Sequence, residues 1–499
     1  MSFEAYPIGV GPQFEGERIR KNEMYIELGG PNIEKKFELC EVKSAKSVKD
    51  GAVKIVGPDI SELKEEGSYP IGIYLEIAGS QLEQDLEAVI ERRFHDFSNF
   101  IQGFMHLNQR YTNWFRLSKK SYQKGLNSFT IIGEILIKLF KAEYNIIEKA
   151  QITFITDKKQ VEEKWQYAME VYNKRDERIR GLKDEDVAEF YACTLCASFA
   201  PKHACAITPN RSCLCGAINW FDARAASKVD PKGPIFRVEK GKCLDEKAGE
   251  YTGINEMIKN SSLGEIDKIY MYSGLEHPHT SCGCFEAIAF YIPEVEGYGV
   301  VDRDYKGNAV NGLPFSTMAN STGGGNQVEG FNGISIEYMR SPRFFQYDGG
   351  WNRFVWLPSS VKQRILEFIP KELHDKIATE VEVTEINELY NFLKEKNHPV
   401  LERWESEKSE DAEETEQEYI QAQSDTMSTQ MPYQMPTQTF SSQTIPPGSQ
   451  SFILPGIVIP APSTGSGPGF KIIFKNVKIH AESITIKKIK QPKKGITKE

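Results

Sequence analysis

The sequence predicts a mixed α/β, multidomain protein: two α/β-type domains, a disordered linker and a short basic β tail. At 499 residues the chain is longer than the roughly 100–200 residues of one domain. Stretches with strand-like and helix-like apolar spacing alternate up to residue 402. Beyond it the composition changes to an acidic run and then to Ser, Thr, Gln, Met and Pro, which cannot bury a core.

The first predicted domain spans residues 1–185. "IGIYLEIAGS" has the composition of a buried strand. Apolar residues recur at helical spacing in three later stretches, and we predict helices at 81–107, 129–155 and 158–182. Strands followed by helices favour an α/β domain.

The second predicted domain spans residues 186–402 and holds every clustered cysteine. We predict strands in "EIDKIYMYSG" (265–274) and "IAFYIPEVEGYGVVD" (288–302), and a helix in "SSVKQRILEFI" (359–369). The disordered linker then covers 403–450. In the tail, 451–499, "FKIIFKNVKIHAESITIKKIK" alternates apolar with polar or basic residues, which is typical of strands in a docking element.

Charge and targeting signals exclude several classes of protein. The formal net charge of -9 argues against nucleic-acid binding. The first residues lack an apolar segment behind a basic start, so we expect no secretory signal. "FILPGIVIPAP" is too short and too rich in proline to span a membrane. We therefore expect a cytoplasmic protein with reduced thiols, whose clustered cysteines are metal ligands rather than disulfides.

Five of the nine cysteines fall within 23 residues. They are Cys193, Cys196, Cys205, Cys213 and Cys215. Four thiolates from such a segment can hold a tetrahedral zinc ion or the four iron corners of a 4Fe-4S cluster. Spacing alone leaves zinc and iron–sulfur as equal alternatives.

A second motif, Cys282-Gly283-Cys284, places two thiols on either side of a glycine. A disulfide between such near neighbours is strained, which leaves a metal or redox role. Ni(II) and Cu(II) favour square-planar sites, which two sulfurs and the backbone nitrogens of Gly283 and Cys284 can supply. Without a Cβ, Gly283 can flatten around the ion and leave space beside it. The alternative is a tight turn with two buried thiols.

The stretches "FYACTLCASFAP", "SCLCGAINW" and "HPHTSCGCFEA" together resemble one family. This is the catalytic beta subunit of the archaeal acetyl-CoA decarbonylase/synthase (CO dehydrogenase/acetyl-CoA synthase) complex, and the resemblance covers about residues 1–400. It implies an acyltransferase that reversibly assembles acetyl-CoA from a corrinoid-bound methyl group, CO and coenzyme A. Implied cofactors are a 4Fe-4S cluster and two nickel ions. Implied partners are CO dehydrogenase subunits and the corrinoid iron-sulfur protein.

The resemblance also assigns roles residue by residue. The cubane ligands would be Cys193, Cys196, Cys205 and Cys215, with Cys196 also bridging to the proximal nickel. Cys282, Gly283 and Cys284 would hold the distal nickel. Cys213 lies beside the matching "LCGA", so it competes with Cys215, and we choose Cys215. Phe199 resembles the aromatic that covers the open nickel face, its alternative role being core packing.

A coenzyme A site needs basic and aromatic side chains, which residues 92–124 supply. The resemblance favours Trp114 and Arg116 within that stretch, and a solvated helix face is the alternative. We interpret His203, His277 and His279 as bystanders, loop residues or donors to ligands rather than as ligands. "NSTGGGNQVEGFNG" lacks a phosphate-loop pattern and predicts a turn near the cluster.

Two rival functions remain open at this point. One is a non-catalytic assembly subunit ordered by zinc or an iron–sulfur cluster. The other is a thiol redox protein that uses Cys193 and Cys196.

Overall fold

The computed structural model describes residues 2–404, 453–454 and 457–458. Contacts join residues 1–422 into one compact unit, separate from 423–499. The predicted linker and tail therefore lie outside the described residues, apart from 403–404 and two short strands. The mixed α/β prediction is confirmed by the sheets and helices of the first unit.

The N-terminal part contains eight strands and four α-helices among its described residues. The strands are β1 (Met24–Gly29), β2 (Phe37–Val42), β3 (Val53–Val56), β4 (Gly67–Tyr69), β5 (Gly72–Ala78), β6 (Phe104–His106), β7 (Trp114–Ser118) and β8 (Lys149–Ile155). The helices are α1 (Glu87–Asn99), α2 (Lys119–Gln123), α3 (Phe129–Glu143) and α4 (Lys158–Glu177). Two four-stranded sheets result, in the orders β4-β1-β7-β6 and β2-β5-β8-β3.

Helix α1 is buried on nearly every side, although its sequence carries many charged residues. It packs on β2, β6 and α3, so its side chains face the sheets and a neighbouring helix at once. Charged groups in such a position need buried partners. Helix α1 therefore carries charged side chains that are buried inside the fold.

The part that follows carries the cysteines. Its strands are β9 (Glu189–Cys193), β10 (Cys205–Ile207), β11 (Ile235–Glu239), β12 (Cys243–Asp245), β13 (Glu250–Tyr251), β14 (Ala287–Ile292), β15 (Gly297–Asp302), β16 (Phe331–Ile334) and β17 (Phe354–Trp356). Its helices are α5 (Trp220–Val229), α6 (Thr252–Ser261), α7 (Phe315–Thr322), α8 (Ile336–Met339), α9 (Ser359–Ile365) and α10 (Ile386–Glu395). The main sheets have the orders β10-β9-β11 and β16-β14-β15-β17.

Three predicted elements are wrong. The helix predicted at 81–107 ends with α1 at Asn99, and Phe104–His106 is instead β6, paired with β7. The helix predicted at 129–155 ends with α3 at Glu143, and Lys149–Ile155 is instead β8, paired antiparallel with all of β5. A short apolar run is compatible with both helical and strand periodicity, and here pairing with β5 makes it a strand. The strand predicted at 265–274 is absent from the described fold. Tyr270 makes only an isolated bridge with Pro278, which has no N–H to extend a ladder.

One apolar core is formed mainly by residues from 8 to 154, and a larger one mainly by residues from 179 to 400. The boundary at residue 185 stays a prediction, because the compact unit includes both sides of it. In the second unit, β18 (Ile453–Leu454) pairs antiparallel with β19 (Ile457–Val458). Among the described helices, none combines the length and the apolar character needed to cross a bilayer.

Candidate metal centre

Four cysteines gather around the strand pair β9–β10. Cys193 and Cys205 stand directly opposite each other in the antiparallel register, so both side chains leave the same face. The chain then turns back and brings Cys213 and Cys215 to the same place. Hydrogen bonds with the thiols of Cys193, Cys205 and Cys215 raise the pKa of Cys213 well above its ordinary value. We call these four residues the four-cysteine group.

A second set of thiols lies beside the first. The sulfurs of Cys196, Cys282 and Cys284 all lie within 4.8 Å of one another. Cys282 is buried, and the other two are partly exposed. Three sulfurs at these separations suit a soft metal ion, so the donor chemistry of this three-cysteine group fits the nickel that the resemblance implies.

The Cys-Gly-Cys segment turns its ligand atoms inward. The Cys284 amide donates to the Cys282 sulfur at 3.2 Å, so this nitrogen and the sulfur lie side by side. Gly283 has a φ of 125°, a conformation that L side chains rarely adopt. A Cβ at Gly283 would meet no described heavy atom within 4 Å. Gly283 is therefore needed for its backbone conformation, and its role in leaving space beside a bound ion stays a prediction.

A buried arginine contacts the three-cysteine group. Arg92 on α1 donates to the Cys196 sulfur at 3.3 Å and lies 3.8 Å from the Cys284 sulfur. The other terminal nitrogen of the same guanidinium, Nη1, lies 3.4 Å from Asp96 Oδ1. Hydrogen bonds with Cys196 and Cys282 hold the pKa of Cys284 well below its ordinary value, and the positive charge of Arg92 adds to this shift. Arg92 thus favours a thiolate at Cys284.

A second arginine holds the backbone of the same segment. Arg303, just after β15, donates to the Gly283 carbonyl oxygen and, at 2.6 Å, to that of Phe285. The next residue, Glu286, donates its amide to the Leu214 oxygen at 3.0 Å. This last bond joins the segment to the turn between Cys213 and Cys215, so the two cysteine groups are adjacent.

A chain of buried hydrogen bonds leads to the site. Glu38 on β2 meets Nε2 of His106 at 2.8 Å, and Nδ1 of His106 meets Nδ1 of His95 at 2.8 Å. The Arg110 amide also donates to Glu38, at 3.0 Å. If His106 donates from Nε2 to the Glu38 carboxylate and is neutral, its Nδ1 accepts, and the proton of that bond is carried by Nδ1 of His95. Burial lowers the pKa of His95 well below its ordinary value, which keeps it neutral.

A small cavity opens beside the three-cysteine group. Its volume is ≈ 30 Å³, and its lining includes His95, Cys215, Cys284, Asp302, Arg303 and Arg364. About 10–15 Å³ is needed for one water molecule on this measure. The cavity therefore has room for about two small molecules, but not for a nucleotide-sized ligand.

Two family models match the chain. The model for the CO dehydrogenase/acetyl-CoA synthase complex beta subunit matches residues 6–161, and the model for the C-terminal part of the ACS/CODH beta subunit matches 172–405. An acetyl-CoA decarbonylase/synthase complex subunit beta from Methanopyrus kandleri is 48% identical over 485 residues, which is 97% of each chain. This chain belongs to the beta subunit family.

A second beta-subunit relative supports the assignment. Subunit beta 2 of the acetyl-CoA decarbonylase/synthase complex of Methanosarcina thermophila is 50% identical over 98% of this chain and 99% of its own length. A solved structure of the C-terminal domain of the acetyl-coenzyme A synthase alpha subunit is 38% identical, covering 24% of this chain and 96% of its own, with a TM-score of 0.23. The predicted family is confirmed, and these beta-subunit relatives are named as parts of an enzyme complex.

The structure brings together most of the residues that the beta subunit family pattern predicts. Cys196, Cys282 and Cys284 converge, and Cys193, Cys205 and Cys215 lie next to them with Cys213 among them. Phe199 follows Cys196 in a turn, and its ring centroid lies 6.3 Å from that of His95. Whether Cys213 or Cys215 is the fourth ligand stays a prediction.

Trp114 and Arg116 lie elsewhere, on β7, and do not line the described cavity beside Cys284. Arg116 lies over the Trp114 ring at 4.8 Å and donates to Glu27 at 2.9 Å and to the Ile19 oxygen at 3.0 Å. Several donors of Arg116 are therefore already engaged. The role of Trp114 and Arg116 in coenzyme A binding stays a prediction.

The histidines of the motifs hold loops. Nε2 of His279 accepts the Ala206 amide at 2.9 Å, and Nδ1 donates to the Thr280 oxygen at 2.6 Å. The loop before Cys282 is thereby docked on β10, next to Cys205. His203 meets the Thr280 hydroxyl at 2.7 Å, while His277 is exposed. These positions agree with supporting roles around the cysteines.

Sequence reasoning missed the side chains around the three-cysteine group. Arg92 and Arg110 were grouped with the basic stretch expected to bind coenzyme A, but both are buried. Glu91 and His95, the helix α1 neighbours of Arg92, are buried as well. The sequence offered one signal for this burial: the segment that forms α1 carries many charged residues and also has apolar residues at its other positions.

Proposed function

We propose that this chain catalyses the reversible assembly of acetyl-CoA from a corrinoid-bound methyl group, CO and coenzyme A, as a CO-methylating acetyl-CoA synthase. The observation that supports this best is the convergence of Cys196 with Cys282 and Cys284, from two distant parts of the sequence. Membership of the beta subunit family supports the same activity. The partners proposed with it are CO dehydrogenase subunits and the corrinoid iron-sulfur protein.

The metal ligands follow from the two cysteine groups. In this proposal, Cys193, Cys196, Cys205 and Cys215 would hold a 4Fe-4S cluster. Cys196, Cys282 and Cys284 would hold one nickel ion, and the backbone of Cys282-Gly283-Cys284 would hold a second. When bound, a low-valent nickel with open positions supplies the chemistry of carbon–carbon bond formation between methyl and CO.

The chain's own residues prepare this site. Arg92 offsets the negative charge of the Cys196 and Cys284 thiolates, because its guanidinium stays protonated inside the protein. His95 lines the cavity beside Cys284, and the partly exposed ring of Phe199 lies 6.3 Å from the His95 ring, centroid to centroid. The cavity of ≈ 30 Å³ admits a molecule the size of CO, so coenzyme A would reach it only with its thiol end.

Metal analysis and isotope exchange test the proposal together. Anaerobically purified full-length chain should contain about four iron and two nickel atoms, and it should exchange CO with the carbonyl group of acetyl-CoA. Cys282→Ala and Cys284→Ala should abolish the exchange, because each removes a thiolate of the three-cysteine group. Cys243→Ala is the matched control, since Cys243 is exposed on β12.

The rival functions predict different results. One zinc without iron in the wild-type chain would favour the non-catalytic assembly subunit. A metal-free chain with a reversible dithiol at Cys193 and Cys196 would favour a redox protein. Undiminished exchange in Cys284→Ala would contradict the proposed enzyme directly.

A further inference from the structure

Both peptide groups of the Cys282-Gly283-Cys284 segment have their oxygens bound by donors from elsewhere in the chain. The Cys282 oxygen accepts the Gly324 amide at 3.2 Å. The Gly283 oxygen accepts from the guanidinium of Arg303. These two oxygens belong to the same peptide groups as the nitrogens of Gly283 and Cys284, the candidate ligands of a square-planar metal ion.

A peptide nitrogen changes charge when it becomes such a ligand. Its N–H bond breaks, a metal–nitrogen bond forms, and the proton leaves for solvent, while the metal stays divalent. The negative charge that remains is shared with the carbonyl oxygen by the same resonance that makes the peptide planar. A donor at that oxygen stabilises the charged form, and a positively charged donor stabilises it most.

We propose that Arg303 and the Gly323–Gly325 turn form an amide cradle, which holds the two Cys-Gly-Cys peptide groups in the orientation from which their nitrogens would bind nickel. Arg303 donates to the oxygen of the Gly283–Cys284 peptide, and the Gly324 amide donates to the oxygen of the Cys282–Gly283 peptide. The cradle rests on the proposed function, because it presupposes a metal at this segment. It makes Arg303 a positioning residue rather than a catalytic one.

The fold fixes Arg303 before any metal binds. Its Nε donates to the Phe285 oxygen at 2.6 Å, and its Nη1 reaches Asn108 Oδ1 at 3.3 Å. Its guanidinium also lies 5.3 Å from the ring of Phe285 and 5.1 Å from that of Phe315. With Nε and Nη1 engaged in this way, the remaining Nη2 points at the Gly283 oxygen. A lysine offers a single charged point and cannot make all of these contacts.

The glycine turn is shaped for the same purpose. Gly324 and Gly325 have φ values of 92° and 85°, which L side chains rarely adopt. The turn runs close to the chelate, because a Cβ on Gly323 would lie 3.3 Å from the Cys282 oxygen. The Gly325 amide also donates to the Ser281 oxygen at 2.9 Å. The glycine-rich stretch therefore presents consecutive backbone donors to the segment that begins the chelate.

Nickel and zinc separate this role from simple support of the loop. Zinc binds cysteine sulfur but does not favour peptide nitrogen, whereas square-planar Ni(II) takes nitrogen together with sulfur. Loss of the cradle should thus weaken nickel binding far more than zinc binding. Loss of a merely structural contact should weaken both metals equally.

The experiment titrates the full-length, metal-depleted chain anaerobically with Ni(II) and, separately, with Zn(II). Arg303→Gln should weaken nickel binding about 10- to 100-fold, the range expected for one hydrogen bond to a charged group. Zinc binding should change by less than about 3-fold, because zinc bound only through sulfur leaves the peptide groups uncharged and gains little from the arginine. Arg303→Lys should fall between the wild type and Arg303→Gln for nickel. Nickel X-ray absorption should show fewer nitrogen ligands in Arg303→Gln.

Gly324→Ala tests the other half of the cradle, and Gly181→Ala is its matched control. Both glycines have similar φ values, 92° and 97°, so both substitutions strain the backbone alike. The Gly181 position is open, with no described heavy atom within 4 Å of an added Cβ. Nickel binding should weaken in Gly324→Ala and remain unchanged in Gly181→Ala, with circular dichroism confirming that both variants fold.

Equal losses of nickel and zinc binding in Arg303→Gln, or no loss of nickel binding, would overturn the cradle. Equal nickel binding by Gly324→Ala and Gly181→Ala would overturn the part assigned to the turn. A wild-type chain whose nickel has no nitrogen ligands would instead contradict the metal site of the proposed function.

Discussion

The two cysteine groups of this protein lie side by side but are held in different ways. Cys193, Cys205, Cys213 and Cys215 come from one short segment, and the register of two paired strands positions the first two. The three-cysteine group joins Cys196 to a loop roughly 85 residues later and is bordered by charged side chains from other elements. Local backbone geometry therefore builds one group, and the tertiary fold assembles the other.

The largest effect should follow from breaking the group that the strands hold. Cys205→Ala should lose essentially all iron, because it removes a corner of the proposed cluster. It should also lose nickel at the three-cysteine group, since Cys196 belongs to both metal sites in the proposal. Cys282→Ala should lose nickel but keep its iron. Elemental analysis of anaerobically purified chains measures both, and a proportional loss of iron in Cys282→Ala would contradict the difference between the groups.

The next effect concerns membership of the four-cysteine group. We expect Cys215→Ala to lose iron and Cys213→Ala to retain it, because Cys215 lies within the "LCGA" motif that resembles the family. Iron content and the visible absorption of the cluster check this. The reverse outcome would assign the fourth corner to Cys213, whose thiol contacts the other three.

A smaller effect is expected at the charged border of the three-cysteine group. Arg92→Gln should weaken nickel binding about 10- to 100-fold, because a buried hydrogen bond to a charged group contributes about 1.5–3 kcal/mol. Its iron content should remain that of the wild type. Arg93→Gln is the matched control, since Arg93 pairs with Asp96 and Glu143 on the same side of α1. Nickel titration checks this, and equal weakening by both variants would mean that helix α1, not the Arg92–sulfur contact, is responsible.

The smallest effect is a pH dependence of stability at the cavity wall. Burial and the negative charge of Asp304 raise the pKa of Asp302 to about 6, although Arg364 opposes this. The folded state therefore binds this proton more tightly than the unfolded state, and ionisation of Asp302 destabilises the fold as the pH rises from about 4 to about 6. Asp302→Asn should be more stable than the wild type by about 1–3 kcal/mol at pH 7.5.

That advantage should be largely lost near pH 4, where Asp302 is protonated in the folded state and about half protonated in the unfolded state of the wild-type chain. Thermal unfolding midpoints of the two chains, measured from pH 4 to pH 8, check the sign. Curves that stay parallel over this range would contradict it.

The same difference explains what the sequence could predict. Spacing identified Cys193, Cys196 and Cys205, because their proximity depends on a strand pair and a turn. The resemblance joined them to Cys282 and Cys284. Neither source could place Arg92 or Arg303, because a charged residue on a helix or after a strand has the pattern of a solvated one. Only the packing of α1 on all sides shows that its charges are buried.

The fold itself was predictable at the level of class. Long periodic segments such as α4 were recognisable from apolar spacing, and β14 and β15 from their composition. The errors fell where a short apolar run depends on its partner. Lys149–Ile155 is a strand because β5 lies beside it, and residues 265–274 are irregular because their bridge partner is proline.

The roughly 85 residues between Cys196 and Cys282 give the three-cysteine group a thermodynamic role as well. A metal ion bound to both ends cross-links the chain and closes a loop of that length, which removes conformational entropy from any state in which the ends would otherwise separate. On the scale established for disulfide loops, this restriction corresponds to about 4–5 kcal/mol. In the proposed metal-bound chain, metal affinity and resistance to unfolding would be coupled, so loss of the metal would also remove this cross-link.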